Sequence, residues 1–343
     1  MSTTKANPVT TPSLRILVTG ATGALGQRVV ARLVAEGHAV RLVTRRPFRA
    51  DAVLGRHATC IEWHPLSEPL PEAALADLDA IVHLAGEPLA GPADTERALR
   101  LRSSRLKLAE RLAIAARNQT LRIVVASVVM PPLTTAAGEV MTDLTPRSEP
   151  ATAFERGVLD IEAACNALAS GGASLAMVRL GLLIDAGPVL EALVRLARRG
   201  GIPNFAGALI PAIDPEDAAA LIAGLVGHRG LTGPLIGVAP EPLAGEILQA
   251  ALVPFNPWPV ALPVSQRRVE RRIGPLARLL FNRTRVVPQR LLDAGAGFQN
   301  ADLAASLARA LAVVTASRGS PRDPVARWLD RRRADPIKSS SDT

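Results

Sequence analysis

The sequence contains no tyrosine, and its only lysines are Lys5, Lys107 and Lys338, so nearly all of its 40 basic residues are arginine. This excludes any mechanism in which a tyrosine exchanges a proton beside a lysine that lowers its pKa. Aromatic residues amount to only 3% of the 343 residues, which leaves few side chains for a pocket that stacks on rings.

Cysteine and histidine are also scarce. Cys60 and Cys165 form no C-x-x-C pair, so we expect no disulfide framework and interpret both as small core residues. The five histidines include no H-E-x-x-H pattern. The sequence therefore predicts no metal site.

Long hydrophobic runs are missing as well. No stretch reaches the roughly 18 uncharged apolar residues of a membrane helix, and residues 1–13 lack the apolar segment of a signal peptide. We expect a cytoplasmic protein with a flexible tail at residues 1–13 and no membrane partner. A hydrophobic content of 48% excludes a disordered chain.

The net charge of +9 is concentrated near the C-terminus, because residues 260–343 contain 16 Arg or Lys and 7 Asp or Glu. Such an excess can attract nucleic acid or an acidic membrane surface. No nucleic-acid-binding signature accompanies it, so we interpret it as a solvated helical surface and do not expect nucleic acid as a partner.

Apolar runs of strand length alternate with helical patterns through the first two thirds of the chain. The runs are residues 14–19, 39–44, 59–63, 80–85, 121–129 and 174–183. This alternation predicts an α/β protein with a doubly wound parallel (Rossmann) sheet and a small helical C-terminal domain. We expect the dinucleotide-binding domain at residues 14–240 with substrate-side insertions, the small domain at 241–315, and a basic tail at 316–343. Residues 240–263 are dense in proline and are interpreted as a boundary or wrapping loop.

The strongest motif is the segment TGATGALG at residues 19–26, which lies between the first strand and a helix. In such a loop the first glycine allows a tight turn, the second admits a pyrophosphate, and the third lets helix and strand pack closely. The alternative is a glycine-rich turn without a ligand. The predicted cofactor-binding residues here are Gly20, Thr22, Gly23, Ala24, Leu25 and Gly26.

The end of the second strand selects the nucleotide. NAD sites carry Asp or Glu there, whereas this sequence places Arg45 and Arg46 after Thr44. Arginine suits the 2′-phosphate of NADP, so we predict NADP rather than NAD. The alternative is that both arginines only face solvent.

Beyond the glycine loop, the segment HLAGEP at residues 83–88 resembles the extended short-chain dehydrogenase/reductases. More narrowly, the chain resembles bacterial NAD(P)-binding epimerase-family proteins that carry a small C-terminal domain of unknown function. The resemblance covers roughly residues 14–313. The further matching stretches are LAGEPLAG at 84–91, SR at 104–105, VRLGLL at 178–183, and RVVPQRLLDAG at 285–295 followed by GF at 297–298.

The resemblance implies cofactor contacts at Leu84, Ala85, Gly86 and Ser127. It also implies that a serine after the fifth strand, here Ser127, polarises the substrate oxygen. The alternative is that Ser127 is a plain strand-end hydroxyl. The helix that would carry tyrosine and lysine reads FERGV at residues 154–158. Arg156 cannot replace them, because a guanidinium stays protonated.

Two functions remain open. The first is an NADP-dependent oxidoreductase or epimerase acting on an unknown small substrate, in which Ser127 with water, Glu155 or Asp214 moves the proton. The second is a non-catalytic NADP-binding protein that regulates or binds a partner. Asp217 is interpreted as a helix N-terminal acid, with a substrate contact as the alternative. Arg105 and Arg179 either fix internal geometry or face the ligand, and the oligomeric state stays open.

Overall fold

The computed structural model of the protein describes residues 13–316 except 48–49, 51–57, 92–94, 117–119, 132–138, 147–148, 151, 168 and 170–171. The predicted basic tail after residue 316 and nearly all of the predicted tail at residues 1–13 lie outside the described residues.

The strands are numbered in chain order. They are β1 Arg15–Thr19, β2 Ala39–Thr44, β3 Ala58–Glu62, β4 Ala80–His83, β5 Arg122–Val128, β6 Val140–Met141, β7 Ser174–Leu180, β8 Leu182–Leu183, β9 Gly201–Pro203, β10 Leu209–Ile210, β11 Ala212–Ile213, β12 Gly233–Gly237, β13 Leu243–Ala244, β14 Leu262–Val264 and β15 Arg285–Val286. Seven of them form one sheet in the order β12-β7-β5-β4-β1-β2-β3, and every neighbouring pair in it is parallel.

The helices are α1 Ala24–Ala35, α2 Glu72–Leu75, α3 Thr95–Ala116, α4 Ala153–Asn166, α5 Pro188–Ala197, α6 Pro215–Gly227, α7 Gly245–Leu252, α8 Gln266–Ile273, α9 Ala277–Leu280, α10 Gln289–Asp293 and α11 Leu303–Ala316. Short 3₁₀ turns occupy Val253–Phe255 and Gly274–Leu276. Sheet and helices together confirm the predicted doubly wound α/β fold with C-terminal helices. Among the described helices, none is long and apolar enough to cross a bilayer.

Both faces of the sheet are covered, as the continuous apolar strands require. Val18 of β1 packs with Val29 of α1 and Ile222 of α6 on one face. Its neighbour Leu17 packs with Leu112 of α3 and Cys165 of α4 on the other. Because successive side chains of a strand point to opposite faces of the sheet, each strand buries side chains on both faces.

A third apolar cluster lies over the carboxyl end of β5. It joins Val129 to Leu193 of α5, Leu279 of α9 and Leu307 of α11. Residues on both sides of position 240 thus contribute to one core. The domain limits proposed from the sequence stay a prediction.

Two local predictions are wrong. The run at 174–183 is not one strand, because a Cβ at Gly181 would lie 2.4 Å from the Pro211 carbonyl oxygen, and this close approach separates β7 from β8. The proline-dense segment is not only a loop, because its proline-free part forms α7, with Leu248 and Leu252 buried one turn apart. Helix α8 was not foreseen either.

Arg122 is buried at the amino end of β5, the sheet edge opposite the glycine loop. Its guanidinium donates to the Leu225 and Leu231 carbonyl oxygens and to the Ser174 hydroxyl, each at 2.8 Å. Burial and, to a smaller extent, nearby Arg229 lower the pKa of Arg122 to about 10. The side chain therefore joins α6, β7 and the loop before β12 through neutral acceptors.

Candidate functional site

The loop between β1 and α1 has the geometry of a nucleotide-binding turn. Gly20 has a φ of +77°, which favours glycine, and a Cβ there would lie 2.6 Å from the Ala85 nitrogen. A Cβ at Gly26 would lie 2.1 Å from the Gly20 carbonyl oxygen. The missing side chains therefore let β1, α1 and the end of β4 meet closely.

The amino end of α1 is open for an anion. Gly23 is the N-cap, and no side chain caps the helix. A Cβ at Gly23 would meet only the Gly20 carbonyl oxygen, at 3.3 Å, so its outer side is clear. Thr22 precedes it, and Ala24 and Leu25 form the first turn. Backbone N–H groups at such an end, aided by the helix dipole, bind phosphate.

Arg45 and Arg46 follow directly after β2, and both are exposed. The Arg46 backbone N–H donates to the Thr44 hydroxyl at 3.3 Å. Within the described residues neither guanidinium pairs with a carboxylate or donates a hydrogen bond. At this strand end, next to β1, they are available to an anionic ligand.

The end of β4 lies against the glycine loop. The N–H groups of Leu84 and Ala85 donate to the Thr19 carbonyl oxygen at 3.1 Å and to its hydroxyl at 3.4 Å. Gly86 follows, and a Cβ there would lie 2.7 Å from the Arg105 guanidinium carbon. The predicted cofactor residues of β1 and β4 are thus brought together at the carboxyl edge of the sheet.

The buried His83 stabilises this junction, and sequence reasoning missed it. His83 Nδ1 lies 2.7 Å from the Thr19 hydroxyl. Burial, and next the positive charge of Arg105, lower the pKa of His83 to about 4, so the ring is neutral at pH 7. Burial also lowers the pKa of Arg105 to about 10, and Glu87 opposes that shift. Arg105 lies over Gly86, at the carboxyl edge of the sheet.

Ser127 lies near the end of β5 and is already engaged. Its hydroxyl donates to Glu162 Oε1 of α4 at 2.7 Å. Arg179 of β7 holds the same carboxylate in a bidentate pair, with Nε 3.1 Å from Oε1 and Nη2 2.8 Å from Oε2. Both charged side chains are about nine-tenths buried. The three residues, named here the Ser127 network, form one buried unit.

Glu162 is the residue that the sequence analysis overlooked. It lies on the buried face of α4, four residues after Val158 and three before Cys165. An acid at a core position of an amphipathic helix is the signal that could have found it. Its carboxylate also raises the pKa of the Cys165 thiol to about 12, together with the larger effect of burial. That thiol is therefore unreactive.

The other proposed proton carriers have structural contacts. Glu155 shares a capping box with Thr152 at the start of α4 and pairs with Arg278. Asp214 caps α6 and accepts hydrogen bonds from the Ser306 hydroxyl at 2.7 Å and Arg309 at 2.8 Å.

Asp217 holds the loop before α11 in place. It accepts the backbone N–H groups of Gln299 at 3.1 Å and Asn300 at 2.8 Å. Its position in the first turn of α6 agrees with the interpretation as a helix N-terminal acid. In the described part of the chain no cluster of three His, Cys, Asp or Glu side chains has a metal-binding arrangement.

A cavity of about 470 Å³ opens directly after Ser127, between β5, the start of α4 and the segment 266–284. Its wall is about equally apolar and polar, with Val128, Val129, Phe154, Leu276, Leu279 and Phe281 beside Glu155, Gln266, Arg278, Asn282, Arg283 and Thr284. Arg278 and Glu155 neutralise each other inside it, whereas Arg283 is exposed at the wall. A volume of this size suits a small organic ligand.

Residues 16–189 match the NAD-dependent epimerase/dehydratase family. The chain is 24% identical over 310 residues to the epimerase family protein YfhF of Bacillus subtilis (strain 168), covering 87% of this chain and 98% of that protein. It is 27% identical over 317 residues to the epimerase family protein SDR39U1 of Bos taurus, covering 87% of this chain and 100% of that protein.

A solved structure has the same fold. The crystal structure of human epimerase family protein SDR39U1 (isoform2) with NADPH superposes with a TM-score of 0.68 at 25% identity, covering 87% of this chain and 99% of that chain. The family match at residues 16–189 includes the glycine loop.

Proposed function

Because the chain belongs to the NAD-dependent epimerase/dehydratase family, we propose that it binds NADP(H) at the glycine loop and a small substrate in the cavity after Ser127. The observation that carries the proposal is the open amino end of α1 beside two exposed arginines that lack carboxylate partners within the described residues. A single dinucleotide with an extra phosphate fits both features.

The residues present fit such a group. Gly20 and Gly26 exclude side chains where backbone segments meet, and the backbone amides of the first turn of α1 would hold the pyrophosphate. Arg45 and Arg46 would hold a 2′-phosphate, and the NADPH found with the human relative supports NADP(H) over NAD(H). Leu84, Ala85 and Gly86 would line the same edge.

A nicotinamide cofactor, when bound, supplies hydride transfer. The residues of this chain would handle the proton. Since the Ser127 hydroxyl donates to Glu162, its oxygen lone pairs are left to accept a proton from a substrate hydroxyl, while its own proton moves to the Glu162 carboxylate. Arg179 would keep that carboxylate ionised until the proton arrives and would hold it in position throughout.

A second candidate is a non-catalytic NADP-binding protein. One observation favours it: Glu155 and Asp214 are held by structural partners, and the sequence has no tyrosine. The Ser127 network would then only stabilise the fold. Both candidates share NADP(H) binding and differ in turnover.

The protein would act in the cytoplasm, where NADP(H) is available. Support comes from Cys165, which is a buried free thiol, as a reducing compartment favours. The substrate partner would be a small molecule, in keeping with the size of the cavity.

Titration with NADPH and NADH, followed by calorimetry or cofactor fluorescence, tests the shared claim. Arg45→Glu should weaken NADPH binding about 10- to 100-fold, because a charge-assisted phosphate contact becomes a repulsion. NADH binding should change by less than about 3-fold, since that nucleotide lacks the phosphate. Arg100→Glu, at an exposed arginine of α3, is the matched control.

Binding of neither nucleotide would refute both candidates, and equal weakening of NADPH and NADH would refute the role of Arg45. If NADPH binds, incubation with panels of carbonyl compounds and nucleotide sugars separates the candidates. Turnover that Ser127→Ala and Glu162→Gln abolish, with NADPH affinity unchanged, supports the enzyme. Turnover that survives both substitutions would contradict the proton path.

A further inference from the structure

The loop between α7 and β14 carries large apolar side chains on its outside. Trp258, Val260 and Leu262 are 65%, 73% and 63% exposed. The loop is nevertheless ordered by its contacts, since the Trp258 N–H donates to Asn256 Oδ1 at 3.0 Å. The Trp258 ring also packs against Gly200, where an added Cβ would lie 2.7 Å from the ring carbon Cδ1. Neighbouring exposed apolar residues of this size mark a binding surface.

The prolines of this loop reduce the conformational entropy that it would lose on binding a partner. The segment at residues 256–264 reads NPWPVALPV, with a proline on either side of Trp258. Proline fixes the backbone φ, so little conformational freedom is lost when the loop meets a partner. The apolar tips are thus presented by a stiff support.

Helix α8, which follows β14, presents a face made of arginine. Arg267, Arg268, Arg271 and Arg272 are all exposed, and Val269 and Ile273 are buried. At 3.6 residues per turn the four arginines fall within one side of the helix, opposite the buried pair. Within the described residues none of these four guanidiniums has a carboxylate partner.

The loop and the arginines of α8 are adjacent in the chain, and both are exposed. Strand β14 connects them directly, and the Leu262 N–H donates to the Gly200 carbonyl oxygen at 2.7 Å. On the other side of the loop, the end of α5 places the Arg198 guanidinium carbon 5.8 Å from the centre of the Phe255 ring, and Arg199 is exposed beside it. Positive charge therefore lies near both ends of the loop. This surface is called here the Trp258 surface.

Against the expectation of no membrane partner, we propose that the Trp258 surface binds an anionic lipid bilayer, independently of the cofactor site. A tryptophan and two aliphatic side chains suit the interface of a bilayer, and guanidiniums beside them suit lipid phosphates. A second copy of the chain would oppose arginine to arginine. Residues 317–343 do not complement the surface, because they contain seven Arg or Lys and four Asp or Glu. Two of the three tips are aliphatic and cannot stack on bases, which disfavours a single-stranded nucleic acid.

The test is sedimentation of the full chain with extruded vesicles of phosphatidylcholine alone or mixed with phosphatidylglycerol. We expect binding at least about 10-fold stronger to the mixed vesicles. Tryptophan emission should shift to the blue on binding, and Trp258→Phe should remove that shift. Trp258→Ser/Leu262→Ser should lower the affinity at least about 10-fold by removing two apolar contacts.

Arg267→Gln/Arg271→Gln should weaken binding to mixed vesicles about 25-fold, since each arginine near an anionic surface contributes about 5-fold. Arg100→Gln/Arg229→Gln removes the same charge from exposed arginines elsewhere and should change binding by less than about 2-fold. Unchanged thermal midpoints and NADPH titrations of all variants show that they are folded.

Three results would overturn the proposal. The first is no preference for anionic vesicles. The second is equal weakening by both arginine pairs, because only net charge would then matter. The third is absence of vesicle binding together with binding of single-stranded RNA, or concentration-dependent dimerisation in ultracentrifugation, that Trp258→Ser/Leu262→Ser abolishes.

Discussion

The two sides of the proposed site differ in how their polar groups are satisfied. At the glycine loop, no side chain caps the start of α1, and within the described residues Arg45 and Arg46 have no ion-pair partner. At the end of β5, Ser127, Glu162 and Arg179 satisfy one another in a buried network. The first side is built to receive an anion. The second is arranged before any ligand arrives, so its contribution to function is tied to its contribution to stability.

Breaking the Ser127 network should have the largest effect on stability. Arg179→Met should lower the free energy of unfolding by about 3–5 kcal/mol, because it leaves Glu162 buried without its counter-ion. Denaturant titration measures the loss. Glu162→Gln/Arg179→Met should recover part of it, since the unpaired charge is gone. A loss below about 1 kcal/mol for Arg179→Met would show that the network is not a structural unit.

A substitution on the glycine side should cost somewhat less and also remove binding. Gly26→Ala should destabilise the fold by about 3 kcal/mol, because its Cβ would meet the Gly20 carbonyl oxygen at 2.1 Å and backbone must move. NADPH affinity should fall with it. Gly224→Ala is the matched control, since its Cβ would enter open space on α6. Wild-type behaviour of Gly26→Ala would contradict the close approach of α1 and β1.

The contact between His83 of β4 and Thr19 of β1 should make the free energy of unfolding depend on pH. The unfolded chain protonates His83 near its usual pKa of 6.5, whereas burial lowers the pKa in the folded protein to about 4. The stability linked to neutral His83 is therefore complete above about pH 6.5 and decreases as the pH falls towards 4. We expect a loss of about 2 kcal/mol at pH 5 relative to pH 7. His83→Gln should flatten this slope, and His64→Gln, at an exposed ring, should leave it intact.

The smallest effect is expected for Ser127 itself. Ser127→Ala should cost about 1 kcal/mol, because Glu162 keeps both hydrogen bonds to Arg179. NADPH affinity should stay within about 2-fold. Denaturant titration beside Ser103→Ala, which loses one exposed hydroxyl, provides the reference. A cost equal to that of Arg179→Met would mean that the hydroxyl, rather than the ion pair, holds the network.

The same contrast explains what the sequence could reveal. The glycine spacing predicts a backbone shape, and backbone shape is encoded locally, so the turn at Gly20 and the start of α1 were predictable. The predicted family membership and doubly wound sheet are also confirmed, and both predictions rested on local motifs and apolar runs. The Ser127 network joins three elements that are distant in sequence, and nothing local to Ser127 or Arg179 identifies Glu162 as their shared partner. Helix α8 was missed because its apolar pattern has only Val269 and Ile273 in eight residues.

The position of Arg122 has a practical consequence. Its three acceptors are neutral, so Arg122 itself has no ion pair for added salt to screen. Ionic strength can therefore be raised to test the proposed binding of charged vesicles and of NADPH without weakening the hydrogen bonds of Arg122. Arg122 thus serves as an internal reference, because its hydrogen bonds persist at salt concentrations that screen the contacts of exposed arginines with anions.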